Sequence, residues 1–516
     1  MPDNTPVIIG IGEVSEGPGL VGYSGMSPLD LAARAARVAC EDAVFRGAIA
    51  SHVDVVAAIR QFEVSGPKAV APFGKADNFP RAVARRIGAD PARAILEPVG
   101  GQGPQHLVNE MAHAIAAGEV GMALLCGAEA ISTARRLAFL KENPDWSEEV
   151  GGQLEDRGYG EALLTSEFVR HGALAPMVVY ALFENARRAR LGLSRADYAM
   201  EMGRLFAPFT KVASGNLHAA SREVHDAEHL ITLAATNRMT CDPYPQRLVA
   251  RDQVNQGAAV LMTSVDRARA LGVPEARFIY LHGGADLRER TVAERADLSS
   301  SPAAALAVRS ALEAAGVTLD AIDLFDFYSC FPIAVFNVRD ALGLSPDDPR
   351  PLTVTGGLPY FGGAGNNYSM HAIAAMVRML RVRPSARGLV GANGGYLSKY
   401  SVGVYSATPA PWRGFDSAAP QAEIDSWPAS AVAPGVGYGK VQTYTIDHSE
   451  KPPRAVVIGR LRGEGGRFIA TTDPKNPKVA RAMIDQDPLG GRVKLALDER
   501  GRSIIRTFRS KMDLRS

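Results

Sequence analysis

Cysteine is scarce in this chain. Four thiols (Cys40, Cys126, Cys241 and Cys330) are scattered through 516 residues, mostly in apolar contexts. They form no CxxC pair, so neither a zinc site nor a disulfide framework is supported. A charge bias is also missing. The 57 basic residues stand against 55 acidic ones, a formal net charge of +2. That balance argues against nucleic acid or a membrane surface as the dominating partner. No run of about 18 apolar residues occurs, so no membrane span is expected. The first residues lack the basic flank of a secretory signal. A reduced, cytoplasmic location is the expectation.

What the chain does have is glycine, 51 residues of it, and an alternation of buried strands with alanine-rich helices. Thr5-Pro-Val-Ile-Ile-Gly-Ile-Gly12 reads as a first strand. Ser27-Pro28 then supplies an N-cap and an N1 proline for a helix over 29–43. Val53 to Ile59 is a second strand. The order returns later. Arg277-Phe-Ile-Tyr-Leu281 is a strand, Ser301-Pro302 opens a helix that Gly316 ends, and 322–327 is again a strand. The passage 366–395 mirrors the helix and strand at 104–129. Such repetition predicts an α/β protein made of two duplicated α/β halves.

The first half is expected over 1–270, with a polar helical insertion at 131–235, and the second over 271–407. A proline-punctuated linker follows at 408–436. Five strand candidates then occupy 437–516, which fits a small β-barrel of the OB type. The basic end (Arg506, Arg509, Lys511 and Arg515) reads as a solvated terminus.

Four passages carry a resemblance. Glu97-Pro-Val-Gly-Gly-Gln-Gly-Pro-Gln-His106 leads into a helix ending at Gly118, then a strand from Gly121 to Glu129. Asp326-Phe-Tyr-Ser-Cys-Phe331, the glycine-rich run Thr355 to Tyr368, and Val390-Gly-Ala-Asn-Gly-Gly395 complete the set. Together they resemble the thiolase superfamily, near the sterol-carrier-protein branch of acetyl-CoA acetyltransferases. The likeness is greatest to thiolase-like proteins with an extra C-terminal β domain. The resemblance implies a duplicated thiolase fold over about 5–405 and a coenzyme A thioester as substrate, with no tightly bound cofactor and no metal. Homodimer and monomer both stay open.

The resemblance also places the catalytic positions. Counting back from Gly118 puts Gly101 where the acyl-accepting cysteine stands, and a glycine cannot form a thioester. Tyr328 takes a histidine's place, beside a matching Cys330 and Phe331. Gly363 falls on another histidine. Asn393 falls on the second cysteine and Gly395 on its glycine, although a short register slip would put Gly391 there instead.

Tyr328 and Asn393 are therefore the candidate catalytic residues. Gly101, Gln102, Gly103, Gly363, Asn366 and Gly395 are the candidate ligand-binding ones. The helix N-terminus near Gly101 and Gly103 still offers amides and a dipole to an oxyanion. Asn366 and Asn367 either cap the next helix or present amides to a ligand. His371 reads as a helix-face residue, and Cys330 as a buried, inert thiol.

Two function classes follow. One is an enzyme performing carbon–carbon chemistry on acyl-CoA thioesters, a retro-aldol or Claisen step, without a nucleophilic cysteine. The other is a non-catalytic acyl-CoA binder or scaffold. An ordinary thiolase working through Cys126 or Cys330 is the weakest alternative.

Overall fold

The computed structural model describes residues 4–45, 47–161, 163–463 and 466–514; Arg515 lies outside them. The strands are β1 (Pro6–Glu16), β2 (Val55–Ile59), β3 (Arg93–Glu97), β4 (Met122–Ala130), β5 (Glu155–Asp156), β6 (Met239–Cys241), β7 (Tyr244–Pro245), β8 (Asn255–Ser264), β9 (Ile279–Arg288), β10 (Leu324–Phe327), β11 (Arg387–Gly394) and β12 (Lys399–Ser406). Ten of them form one sheet in the order β10-β11-β12-β9-β1-β8-β4-β2-β3-β5.

That order is the duplication made visible. β1-β8-β4-β2 on one side repeats as β9-β12-β11-β10 on the other. The two halves join where β1 meets β9 antiparallel, Val7 opposite Tyr280 and Ile8 opposite Ile279. β3 has no counterpart strand in the second half. There the backbone N–H of Phe327 donates to the carbonyl of Leu352 (3.0 Å) from a stretch that forms no strand.

Helices follow the sequence pattern with one difference. Ser27 caps the helix Pro28–Asp42, its hydroxyl accepting from the Asp30 amide. Ser301 makes no such side-chain bond ahead of Pro302–Ala315, although Gly316 ends that helix at φ +66° as its left-handed conformation requires. Two helices, Gly103–Ala116 and Tyr368–Val382, are buried between the halves. They pack on each other, and each touches strands from both halves. The loops preceding these two helices carry Gly101 and Gly363.

The insertion leaves the sheet after β4 and returns at β8. Its long helices are Pro176–Leu191 and Arg195–Gly215. Its short β5 runs beside β3, Ile95 against Glu155 and Leu96 against Asp156. Ion pairs Arg93–Glu155 (2.8 Å) and Arg60–Asp156 fasten it there. The edge of β3 is therefore covered by the chain's own backbone.

The 408–436 segment is docked onto the body, whereas the sequence suggested a plain linker. Residues Ala418–Ser426 form a helix, the amide of Asp286 donates to Ser417 Oγ (2.9 Å), and that of Arg288 donates to Gln421 Oε1 (2.8 Å). Trp412 and Phe415 pack edge-on against His113. Beyond it lie β13 (Gly437–Asp447), β14 (Arg454–Leu461), β15 (Arg467–Thr472), β16 (Arg492–Leu497) and β17 (Ser503–Arg509).

All five strand candidates are present. They run β14-β15-β17-β16-β13 and close through β13–β14 into a barrel. β15 and β17 pair in parallel, and the helix Pro477–Asp485, not foreseen from sequence, lies between β15 and β16. Tyr444, Ile446, Val457, Phe468, Val493 and Ile505 fill the interior. The insertion holds the barrel. Asn185 Nδ2 donates to the Tyr444 carbonyl (3.0 Å), and the buried Arg188 guanidinium pairs with Asp487 at 2.7 and 2.9 Å.

Candidate active site

Gly101 sits in the loop after β3, just before the helix that begins at Gly103. A Cβ on Gly101 would lie 2.4 Å from Tyr328 Oη, 2.6 Å from Tyr328 Cζ and 2.7 Å from the Asn393 carbonyl oxygen. These are impossible contacts, so the tyrosine hydroxyl occupies the space that a side chain at 101 would need. The loop is fixed on its other side by Ser369, whose hydroxyl donates to the Gly101 carbonyl (2.6 Å).

One expected oxyanion donor is already engaged. The amide of Gly103 donates to the carbonyl of Gly100 (3.0 Å).

Tyr328 follows β10, and its amide donates to the Gly391 carbonyl (2.9 Å) on β11. Its ring meets Tyr368 edge-on at 5.4 Å. Asn393, near the end of β11, donates through Nδ2 to Tyr180 Oη (2.8 Å). Tyr180 enters from the insertion helix Pro176–Leu191 and stacks on Phe331 at 4.6 Å. Its hydroxyl also hydrogen-bonds Cys330.

Tyr328, Cys330, Tyr180 and Asn393 thus form one buried polar cluster. Burial pushes the Cys330 thiol up to about 12 and raises both phenols above their usual range. Every member is neutral at physiological pH, and none is a proton acceptor there. Two buried amide oxygens of this region have no hydrogen-bond partner: Gln102 Oε1, against Gly100 and Gly394, and Asn393 Oδ1, on the side chain that donates to Tyr180.

The structure brings Gly101, Gln102, Tyr328 and Asn393 together. Asn366, Gly363 and Gly395 have other attachments. Asn366 donates through Nδ2 to the Arg60 carbonyl (2.9 Å) and Ser65 Oγ (3.1 Å). Asn367 donates to the Gly127 carbonyl (2.7 Å). Neither asparagine caps the following helix through its side chain, so the capping reading gives way to stitching between the halves. The amide of Gly363 donates to the Arg251 carbonyl (2.8 Å). Gly395 adopts φ +53° in a tight turn, against Leu163 of the insertion.

His371 is a buried tie between the halves. Its Nδ1 lies 2.8 Å from Glu13 Oε1 on β1, and Arg378 holds the other oxygen at 2.5 Å. Burial alone would raise Glu13, but His371 and Arg378 outweigh it and bring the carboxyl down to about 2.

Sequence reasoning missed Tyr180 and Glu129. Tyr180 and Glu184 lie four apart on one face of their helix, which was the available signal. Glu129 lies at the end of β4, accepts from the Phe62 amide (2.7 Å), and is pushed up by burial to about 8.

The carboxylates of Glu97 and Glu110 and a ring nitrogen of His106 lie within 4.8 Å of one another. They do not fit a metal. The Arg157 guanidinium already bridges Glu97 (3.0 Å) and Glu110 (2.6 Å). Burial would lower His106, but the Asp286 hydrogen bond and nearby carboxylates raise it to about 9, so it is protonated and offers no free nitrogen pair.

Known proteins share parts of this sequence and this architecture. The model of the thiolase-like protein type 1 additional C-terminal domain matches residues 420–500. No curated protein sequence matches. Among solved structures, the monomeric SCP2-thiolase-like protein type 1 from Mycobacterium smegmatis is 43% identical, with a TM-score of 0.84, over 98% of this chain and 99% of that one. The Ltp2-ChsH2(DUF35) aldolase superposes with a TM-score of 0.58 at 18% identity over 79% of this chain and 98% of its own. Human mitochondrial 3-ketoacyl-CoA thiolase gives 0.54 at 17% identity, over 79% of this chain and all of its own. The last two are likenesses of fold.

Proposed function

The chain belongs to the family of SCP2-thiolase-like proteins of type 1, and from that premise we propose that it binds acyl-CoA thioesters without ever carrying the acyl group on a cysteine. The observation behind this reading is the Tyr328 hydroxyl standing where the side chain of residue 101 would be. Covalent acyl transfer needs a nucleophile and a base beside it. Here the nearest thiol, Cys330, is held protonated by burial, and the cluster holds neutral hydroxyls and amides instead. Such a set can orient a thioester carbonyl by hydrogen bonds, which is the chemistry of a binder or carrier.

A second reading rests on Asn393 Oδ1 and Gln102 Oε1. Two unpartnered buried acceptors suit a ligand that donates, such as the hydroxyl of a 3-hydroxyacyl thioester. In that reading Tyr328 donates to the thioester oxygen while retro-aldol cleavage breaks the C2–C3 bond, the 3-hydroxyl proton passing to water and C2 taking a proton from water.

We also read the barrel as OB-type, since its helix lies between third and fourth strands and its third and fifth strands are parallel. The chain is read as a monomer, as its Mycobacterium smegmatis relative is described, with the edge of β3 covered by β5.

Intact-protein mass spectrometry after incubation with acetyl-CoA and with 3-oxoacyl- and 3-hydroxyacyl-CoAs tests this. The expected result is an unmodified chain that still retains the thioesters in equilibrium dialysis. An acyl mass on a cysteine peptide sinks the proposal. Product formation that vanishes in Tyr328→Phe replaces the binding reading with the retro-aldol one.

A further inference from the structure

A separate site stands out where the barrel meets the body. A cleft of about 720 Å³ opens between the end of the Pro176–Leu191 helix, residues 296–299 and the outer wall of the barrel. Its size is in the range of small-molecule sites, roughly 300–1,000 Å³. Its charge is one-sided. Lys440, Arg460, Arg467 and Lys511 line it, together with Arg188 and Arg190, against the carboxylates Asp297 and Asp487.

Local pairing does not even this out. Asp487 is taken by Arg188, and Arg190 pairs with Asp340 at 2.9 Å. Among the described residues, none forms an ion pair with Lys440, Arg460 or Lys511. Arg467 is 2% exposed, and its guanidinium donates only to the carbonyls of Ala293, Arg295 and Ala296. Its Nε is buried without a partner. Of the two carboxylates that line the cleft, this leaves Asp297, which accepts from Ser299 and Ser300.

Register explains how the charges come together. Arg509 of β17 stands directly opposite Arg492 of β16, Arg492 opposite Lys440 of β13, Lys440 opposite Arg460 of β14, and Arg460 opposite Arg467 of β15. Directly opposed residues share a face of the sheet. The five basic side chains therefore make one continuous rung through all five strands of the barrel. Like charges placed opposite each other destabilise a sheet. Among the described residues, none forms an ion pair with a member of the rung, and its Lys440–Arg460–Arg467 portion lines the cleft.

We propose that this cleft is a binding site for a phosphate-bearing small molecule, whose anionic groups would neutralise Lys440, Arg460 and Lys511 over the fixed guanidinium of Arg467. The inference goes beyond the thioester reading, because it needs neither an acyl group nor the Tyr328 cluster. The shared chemistry is phosphate groups on one small molecule, available from coenzyme A or from a free nucleotide.

Isothermal titration calorimetry on the full chain tests it with adenosine 3′,5′-bisphosphate, coenzyme A, phosphate-free pantetheine and a short single-stranded oligonucleotide. The bisphosphate and coenzyme A are expected to bind, and pantetheine is not. The double variant Lys440→Ala/Arg460→Ala is expected to weaken both phosphate ligands by about tenfold or more, as loss of charge-assisted contacts implies. Both side chains are exposed and unpaired, so the variant should melt where the parent does. Should it unfold early, Lys511→Ala gives the same readout from outside the barrel strands. Coenzyme A binding tighter than the bisphosphate assigns the site to the cofactor; equal binding assigns it to free nucleotides. No heat with either phosphate ligand at millimolar concentration, unchanged affinity in the variants, or tighter binding of the oligonucleotide overturns the proposal. Failure of thioester binding at the Tyr328 cluster leaves the bisphosphate result untouched, so the two readings fail separately.

Discussion

The buried cluster around Gly101 and the cleft under the barrel treat polar groups in opposite ways. In the first, hydroxyls, a thiol and an amide are neutral, mostly paired with one another, and packed so that Tyr328 fills the space beside Gly101. In the second, cations stand in a row without an ion pair among the described residues, and an open volume lies before part of it. The region around Gly101 pairs most of its polar groups internally. The region added at the C-terminus holds the unsatisfied charge. A likeness of fold to thiolases therefore points to one site, while the electrostatics point to a second.

The largest effect is expected where the body balances its own charges. Glu13→Ala leaves His371 and Arg378 without their shared carboxylate between the halves. Breaking such a buried network costs about 3–5 kcal/mol, read as a lowered midpoint in urea unfolding. The pH dependence carries a sign. Glu13 titrates near 2 in the folded chain, against about 4.3 when unfolded. Its contribution is thus present above pH 4.3 and is lost as pH falls toward 2. The Glu13→Ala chain should lack that portion of the acid destabilisation, and an unchanged acid slope would break this half of the contrast.

Gly101→Cys comes next. A thiol cannot be accommodated against Tyr328 Oη and the Asn393 carbonyl, so overpacking of about 1–3 kcal/mol is expected. Adding Tyr328→Ala should recover part of that loss. If Gly101→Cys alone melts like the parent and becomes acylated by acetyl-CoA, the site is not filled in the way described.

Glu129→Gln sharpens the picture of a neutral body. The carboxyl is raised by burial to about 8 when folded. Its favourable contribution is full below about pH 4.3 and shrinks as pH rises toward 8. The amide can still accept from the Phe62 N–H. The variant's stability advantage should therefore grow between pH 5 and 8 in thermal melts, and a constant gap would contradict the assignment.

The smallest effect belongs to the barrel. Removing Lys440 alone relieves its opposition to Arg460 and Arg492, so Lys440→Ala should leave the melting point level or raise stability by about 0.2–1 kcal/mol. A clear loss would mean that the rung is held by contacts within the protein, and the contrast between the two regions would weaken.

Much of the fold was legible because it is written locally. Strand and helix periodicities, Ser27-Pro28 and Gly316 marked elements that the structure contains. The five barrel strands were each visible as short β runs. Their helix Pro477–Asp485 was hidden in a stretch read as connection. The candidate site was legible in part. Gly101, Tyr328 and Asn393 do converge, but Asn366 is tied to Arg60 and Ser65, 301 or more positions away in sequence. Tyr180 came from the helical insertion, in which sequence reading named no site residue.

The sequence by itself determined the duplicated α/β plan, the barrel, and the absence of a cysteine at position 101, since residue identity and short-range periodicity encode all three. Only the tertiary structure decided that Tyr328 fills the space beside Gly101, and that Arg467, Arg460, Lys440, Arg492 and Arg509 stand in one row. Those facts depend on strand register and on how distant elements pack, and no local pattern in a chain carries them.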